Sequence, residues 1–201
     1  MLIFSITTTG TYRKRKEHTM DTDMKIHEGW LNNVTHIPSP HCDSRPTDEH
    51  PSLLVIHNIS LPPGQFGGPY INQLFMGTLD PNEHPFFQEI QHLKVSAHCL
   101  IRRNGEIIQY VPFNKRAWHA GQSSYQGREK CNDFSIGIEL EGTDFEAFTE
   151  YQYIALTKLT KLLISQYPQI KHNITGHSNI APSRKTDPGP YFDWKQYKSA
   201  L

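Results

Sequence analysis

The 201-residue chain is poor in cysteine, carries no net charge and lacks a long apolar run. Its cysteines, Cys42, Cys99 and Cys131, are widely spaced, odd in number and never arranged as CxxC. This excludes a disulfide framework and a thiolate zinc site, and it fits a reducing compartment, the cytoplasm. Twenty Lys+Arg balance twenty Asp+Glu, which argues against a partner gripped mainly through phosphates, so no nucleic-acid partner is expected. The longest apolar stretches, Met1–Ile6 (counting Ser5) and Leu53–Ile56, fall far short of the ~20 residues that span a bilayer, and no membrane partner is expected. No internal repeat or low-complexity tract is present. Apolar residues make up 36% of the chain, so it folds as one domain with much loop.

What the chain has in quantity is histidine, twelve residues in all. Histidine is the commonest metal ligand and titrates near neutrality. Twelve exceed the needs of one site, so the question is which of them matter.

Residues 1–25 read as a disordered extension preceding a domain over residues 26–201. The apolar Leu2, Ile3, Phe4 and Ile6 come before the basic cluster Arg13–Lys16, the reverse of a secretory signal, and Met20 or Met24 is an alternative start. Residues 38–51 are Pro-rich and without periodicity, hence loop. Ser52–His57 reads as a buried strand and runs into the Pro/Gly-rich segment Leu61–Pro69, where regular structure ends. Phe86–His92 reads as a short helical piece. Val95–Arg102 and Glu106–Val111 flank Asn104-Gly105, a strong hairpin signal. Phe134–Glu141 alternates, with Phe134, Ile136, Ile138 and Leu140 on one face and Ser135, Gly137, Glu139 and Glu141 on the other. Thr149 and Gln152 form a capping box for a helix whose apolar stripe is Ala155, Leu156, Leu159, Leu162 and Leu163; Pro168 stops it. Asn173–Pro190, rich in breakers, reads as mostly loop, and Asp193 caps a last short helix with Trp194 and Tyr197. Strands mixed with helices in this order give an α/β (α+β) domain around a mixed central sheet.

Several side chains in this frame bear chemistry. His57 ends a hydrophobic strand and opens on a breaker-rich loop, a common place for a ligand; a surface histidine is the plain alternative. His177 lies in a long loop with Lys185 and Asp187, which are two apart and so share a side of an extended segment. They suit a metal and an oxyanion, or a solvated ion pair. Glu139 points from its strand to the face shared with Gly137, whose missing side chain leaves room for a ligand or a helix. In a closed cleft its pKa would rise towards that of a general base. His98 and His119 are rival ligands on local grounds. Two histidines, one carboxylate and an open position make the pattern of a catalytic zinc, but no HExxH helix is present and local patterning does not select the set.

The segments LLVIHNISLPPGQFGGPYI, VSAHCLIRRNGEIIQYVPFNKRAWHAG, YQGREKCNDFSIGIELEGTD and TGHSNIAPSRKTDPGPYFDW resemble the cytoplasmic 1,6-anhydro-N-acetylmuramyl-L-alanine amidases. The similarity runs from about Glu28 to the C-terminus. It implies a fold shared with the peptidoglycan recognition proteins, a mixed sheet with helices packed on it and a zinc cleft on one side. It further implies one Zn2+ per chain on His57, His177 and Asp187, Glu139 as catalytic acid/base and Lys185 as stabiliser of the transition state, and it demotes His98 and His119. Substrate contacts fall on Asn58 and Trp118, and carboxylate-binding positions on Lys94 and Lys130, where the family is expected to carry arginine. Lysine keeps the charge but loses the bidentate fork. The implied partner is a small muropeptide, the implied state a monomer, and the implied reaction the cleavage of the lactyl–L-alanine amide in peptidoglycan recycling. A secreted or a non-catalytic peptidoglycan-binding member of the same superfamily is the alternative.

Overall fold

The structure, a computed structural model, describes residues 24–201. All but the last two residues of the expected extension, and the alternative start at Met20, lie outside the described residues. Six strands form the central sheet: Thr35–His36 (β1), Leu53–Ile59 (β2), Cys99–Ile101 (β3), Ile107–Gln109 (β4), Ser135–Glu141 (β5) and Ile174–Gly176 (β6). Their spatial order is β6-β2-β5-β3-β4-β1. β6, β2, β5 and β3 run parallel, β4 turns back antiparallel to β3, and β1 runs parallel to β4. The expected mixed sheet is present. Five helices accompany it among the described residues: Tyr70–Met76 (α1), Pro85–Ile90 (α2), Glu150–Gln166 (α3), His177–Ile180 (α4) and Trp194–Ser199 (α5).

β2 and β5 are the two longest strands and lie inside the sheet, and their buried residues on both faces match what parallel strands require. Leu54 and Ile56 of β2 and Ile136, Ile138 and Leu140 of β5 join Leu156, Leu159 and Leu163 of α3 in one core. The capping box forms as read: Gln152 N–H donates to Thr149 Oγ1 (3.2 Å) and Thr149 N–H donates to Gln152 Oε1 (3.0 Å). α3 stops at Gln166, and Pro168 opens a short 3-10 turn. Each fully buried leucine of the α3 stripe contributes about 1.5–3 kcal/mol by leaving water, and truncating Leu159 to alanine would cost about 2–5 kcal/mol. Tyr197 of α5 closes the same layer, its hydroxyl 2.6 Å from Thr160 Oγ1.

On the opposite face, α1 and α2 pack Leu74, Phe75 and Phe87 against Leu100, Ile108 and Tyr110. A smaller cluster joins Leu53 and Val55 to Ala120, Cys131 and Ile180. The hairpin between β3 and β4 turns through Asn104-Gly105, with Gly105 in the left-handed region at φ 85. It is shorter than expected. At His98 a side chain takes over the ladder: the Gly137 amide donates to His98 Nδ1 (3.0 Å) rather than to a carbonyl. The breaker-rich segment 173–190 holds more structure than its composition suggested. Its breakers concentrate after Ala181, which leaves Ile174–Gly176 free to pair with β2 and His177 to start α4. Residues 38–51 are loop apart from Cys42–Ser44, which pairs with Lys115–Ala117.

Candidate metal centre

Sheet register assembles the site. In the parallel pairing of β5 with β2, Glu139 stands opposite His57, and in that of β6 with β2, Gly176 stands opposite Ile56. His177, the next residue after Gly176, therefore reaches the level of His57. Three adjacent parallel strands thus present His177, His57 and Glu139 in a row near their carboxyl ends, where open α/β sheets place ligands.

Asp187 completes the group from the loop after α4. Gly176 permits its approach: a Cβ at that position would stand 2.7 Å from Pro188 Cδ. The Ser178 amide donates to the Asp187 carbonyl (2.9 Å), tying the loop back onto α4. His57 Nδ1 lies 3.0 Å from His177 Nδ1 and 3.0 Å from Asp187 Oδ2, and His177 Nδ1 lies 3.1 Å from the same oxygen. These three atoms form a nearly equilateral triangle from residues able to hold a metal ion. Ligand atoms on a tetrahedral zinc with bonds of 2.0–2.1 Å are about 3.3 Å apart, so the triangle fits such an ion with little adjustment.

The outer nitrogens of both histidines are engaged. His177 Nε2–H donates to the Ala120 carbonyl (3.2 Å), which also accepts from Arg184 (2.6 Å). His57 Nε2 faces His119 Nδ1 at 2.9 Å, and His119 Nε2 faces Ser135 Oγ at 3.0 Å.

Electrostatics prepares these groups for a cation. Burial lowers the pKa of His57 to about 4, against the raising influence of Asp187, so the ring is neutral at pH 7. Burial acts to raise the pKa of Asp187, but hydrogen bonds from His177 and His57 outweigh it and hold the carboxyl well below the usual range. Glu139 behaves oppositely: burial, then the charge of Asp187, raise its pKa well above the ordinary value, and Lys185 only partly offsets them. Its Oε1 lies 4.0 Å from His57 Nδ1, while its Oε2 is buried without a hydrogen-bond partner among the described residues. An orphaned carboxylate oxygen next to three converging ligands is what a site built for a metal and a water leaves behind when only the protein is considered.

The sequence profile of the N-acetylmuramoyl-L-alanine amidase family matches residues 47–190. The chain belongs to that family. It is 68% identical over 178 residues to the 1,6-anhydro-N-acetylmuramyl-L-alanine amidase AmpD of Citrobacter freundii, covering 89% of this chain and 95% of that protein. Among solved structures, a selenomethionine derivative of AmpD superposes with a TM-score of 0.87 at 67% identity, covering 89% of this chain and 99% of that one. AmiD of Escherichia coli, solved with anhydro-N-acetylmuramic acid-L-Ala-D-gamma-Glu-L-Lys, is 28% identical with a TM-score of 0.55, covering 88% of this chain and 65% of that one. The mixed α/β architecture is the one this amidase family shares.

Within this amidase frame, His57, His177, Asp187 and Glu139 converge. Lys185 is exposed, and its ammonium is close enough to act on both Glu139 and His57. Asn58 donates to Asp144 Oδ1 (2.7 Å) at the strand end beside His57. Trp118 donates its indole N–H to Asp43 (3.2 Å) and stacks on His41. Lys94 and Lys130 are exposed and stand outside the hydrogen-bonded cluster. His98 is held by the Gly137 amide and donates to the Lys115 carbonyl (3.0 Å), a structural role. The room beside Gly137 is filled neither by a ligand nor by a helix: a Cβ there would collide with the His119 ring. Sequence reasoning missed this contact, and it missed Arg184 as the anchor of the Ala120 carbonyl. The glycine in a buried strand was the available signal for the first; nothing local pointed to the second.

Proposed function

We propose that this chain is a zinc-dependent amidase that hydrolyses the bond between the lactyl group of 1,6-anhydro-N-acetylmuramic acid and L-alanine in muropeptides. The observation that carries the reading is the buried Glu139 Oε2, without a hydrogen-bond partner among the described residues, beside the His57–His177–Asp187 triangle. One Zn2+ per chain would be held by His57 Nδ1, His177 Nδ1 and Asp187 Oδ2, supplying a Lewis acid that acidifies water and polarises the amide carbonyl. Glu139, with its raised pKa, accepts the proton of the attacking water on Oε2 and delivers it to the departing alanine nitrogen. Lys185 places a positive charge where the carbonyl oxygen becomes anionic, worth about 3–4 kcal/mol for one good donor. The neutral ring of His57 stands beside an anionic Asp187 in the triangle.

Asn58, next to His57 in the chain, and Trp118, next to His119, are assigned to the muropeptide, with Lys94 and Lys130 providing cations for peptide carboxylates. Support for the substrate comes from the AmpD relatives and from AmiD, whose structure carries an anhydromuramyl peptide. Three unpaired cysteines suit a cytoplasmic role in peptidoglycan recycling, and the enzyme is taken to act as a monomer. No described helix is long and apolar enough to cross a membrane.

The test is to incubate the zinc-loaded protein with anhydromuramyl-tripeptide and with N-acetylmuramyl-tripeptide and to follow peptide release. Release from the anhydro substrate is expected. Release from neither overturns the amidase reading, and equal rates remove the preference for the anhydro sugar.

A further inference from the structure

We infer that His119 is a positioning residue for the metal ligand His57, and that it orients the ligand as a neutral imidazole rather than as the carboxylate that commonly stands behind a metal-bound histidine. The inference rests on the metal centre proposed above. If His57 offers Nδ1 to a cation, that nitrogen carries no proton, and the neutral ring must carry it on Nε2. The 2.9 Å approach of His57 Nε2 to His119 Nδ1 is then a hydrogen bond donated by His57. His119 in turn must carry its own proton on Nε2, which it donates to Ser135 Oγ at 3.0 Å. One tautomer satisfies every link of the chain from metal ligand to serine.

The backbone is shaped for this arrangement. Ser135 and Gly137 lie on β5, on the same face as Glu139. Gly137 has no side chain where the His119 ring passes, and any Cβ there would meet the ring's Cγ, Nδ1 and Cδ2. The backbone amides of His119 and Ala120 are both held by Asn132 Oδ1, at 3.1 and 2.8 Å. The ring is therefore fixed at its base, at its far nitrogen and across its face, and only Nδ1 is presented to His57.

The chemical consequence concerns charge. A carboxylate behind a metal-bound histidine makes the imidazole a stronger donor and so tempers the Lewis acidity of the ion. Here His57 is backed by an imidazole and His177 by the Ala120 carbonyl. Orientation is obtained at both ligands without adding negative charge, which keeps the ion acidic.

The experiment compares zinc affinity, by competition with a chromophoric chelator, and the visible spectrum of the cobalt(II) form in wild type and four variants. In His119→Asn the side-chain oxygen can take the place of Nδ1, and affinity close to wild type is expected. In His119→Gln the side chain reaches the Ser135 end instead, and affinity about 10–100-fold weaker is expected, with altered cobalt bands. Ser135→Ala reaches the same ring from its far side with little risk to folding, and a smaller weakening is expected. Wild-type affinity in both His119→Gln and Ser135→Ala overturns the inference, as does equal weakening in the Asn and Gln variants with an unchanged cobalt spectrum. His57→Ala separates the two readings. If it holds zinc like wild type, the metal centre itself is misassigned. If it loses zinc while His119→Gln does not, only the role of His119 fails.

Discussion

Glu139 stands opposite His57 in the pairing of β5 with β2, its Oε1 4.0 Å from the His57 nitrogen that faces the proposed ion. The proposed proton carrier and the proposed ligand are thus neighbours by sheet register. Glu139→Gln removes the titratable oxygen and keeps the shape. Turnover of the muropeptide is expected to fall by about 10²–10⁴-fold while zinc content stays at wild-type level. Near-normal turnover with full zinc would remove Glu139 from the chemistry.

The buried His98 ring gives a pH signature of stability. Burial, followed by the charge of Arg45, lowers its pKa to about 3 from the ordinary 6.5. Between these values the unfolded chain holds a proton that the folded chain does not, so stability rises with pH across that window and is fully present above 6.5. The slope from this group is about 1.4 kcal/mol per pH unit. Urea unfolding of the metal-free protein from pH 3 to 7 is expected to show it, and His98→Gln to reduce it. An unchanged slope in the variant would assign the dependence to other groups.

Gly137→Ala is expected to destabilise the protein by about 1–3 kcal/mol, because the new methyl must displace the His119 ring from a closed space. Thermal unfolding measures this. A Tm equal to that of wild type would mean that the ring has freedom the packing denies.

Arg102 and Glu141 form a buried ion pair of 2.6 Å, in which Glu141 is 1% exposed. Glu141 also accepts from the amides of Gly67 (2.7 Å) and Arg103 (3.2 Å), so the pair ties the Leu61–Pro69 segment to the end of β5. Arg102→Met leaves a buried carboxylate with only amide partners and is expected to cost about 3–5 kcal/mol. Adding Glu141→Gln should recover part of the loss. Denaturant midpoints of the single and double variants test this, and a double variant no more stable than Arg102→Met would contradict it.

Much of the scaffold was readable from local pattern. The alternation in 134–141, the Thr149–Gln152 box and the Asn104-Gly105 turn each encode an element within a few residues, and each formed. The site was less readable because its parts lie at positions 57, 139, 177 and 187, and proximity among them depends on strand register, which no local pattern states. Local reasoning proposed His57, His177, Asp187 and Glu139 together with the rivals His98 and His119; the family resemblance chose among them. Both rivals prove to be buried or packed near the centre for reasons that concern β5, one accepting the Gly137 amide and the other occupying the space above that glycine. The strand and helix at 174–180 were obscured because prolines and glycines were counted over the whole segment, although they fall mainly after residue 181.

The row formed by His177, just past the end of β6, and by His57 and Glu139 on β2 and β5 makes this centre sensitive to reading frame in the structural sense. A single residue gained or lost between positions 53 and 57 would turn His57 towards the α3 core and bring an aliphatic neighbour to the cleft, since side chains alternate strictly along a strand. The same slip in β5 would exchange Glu139 for Ile138 or Leu140. Length variation can be absorbed in the connecting loops, where the backbone has no such parity, so lineages and engineers alike are free to remodel the rim of the cleft while the strands that floor it must keep their count.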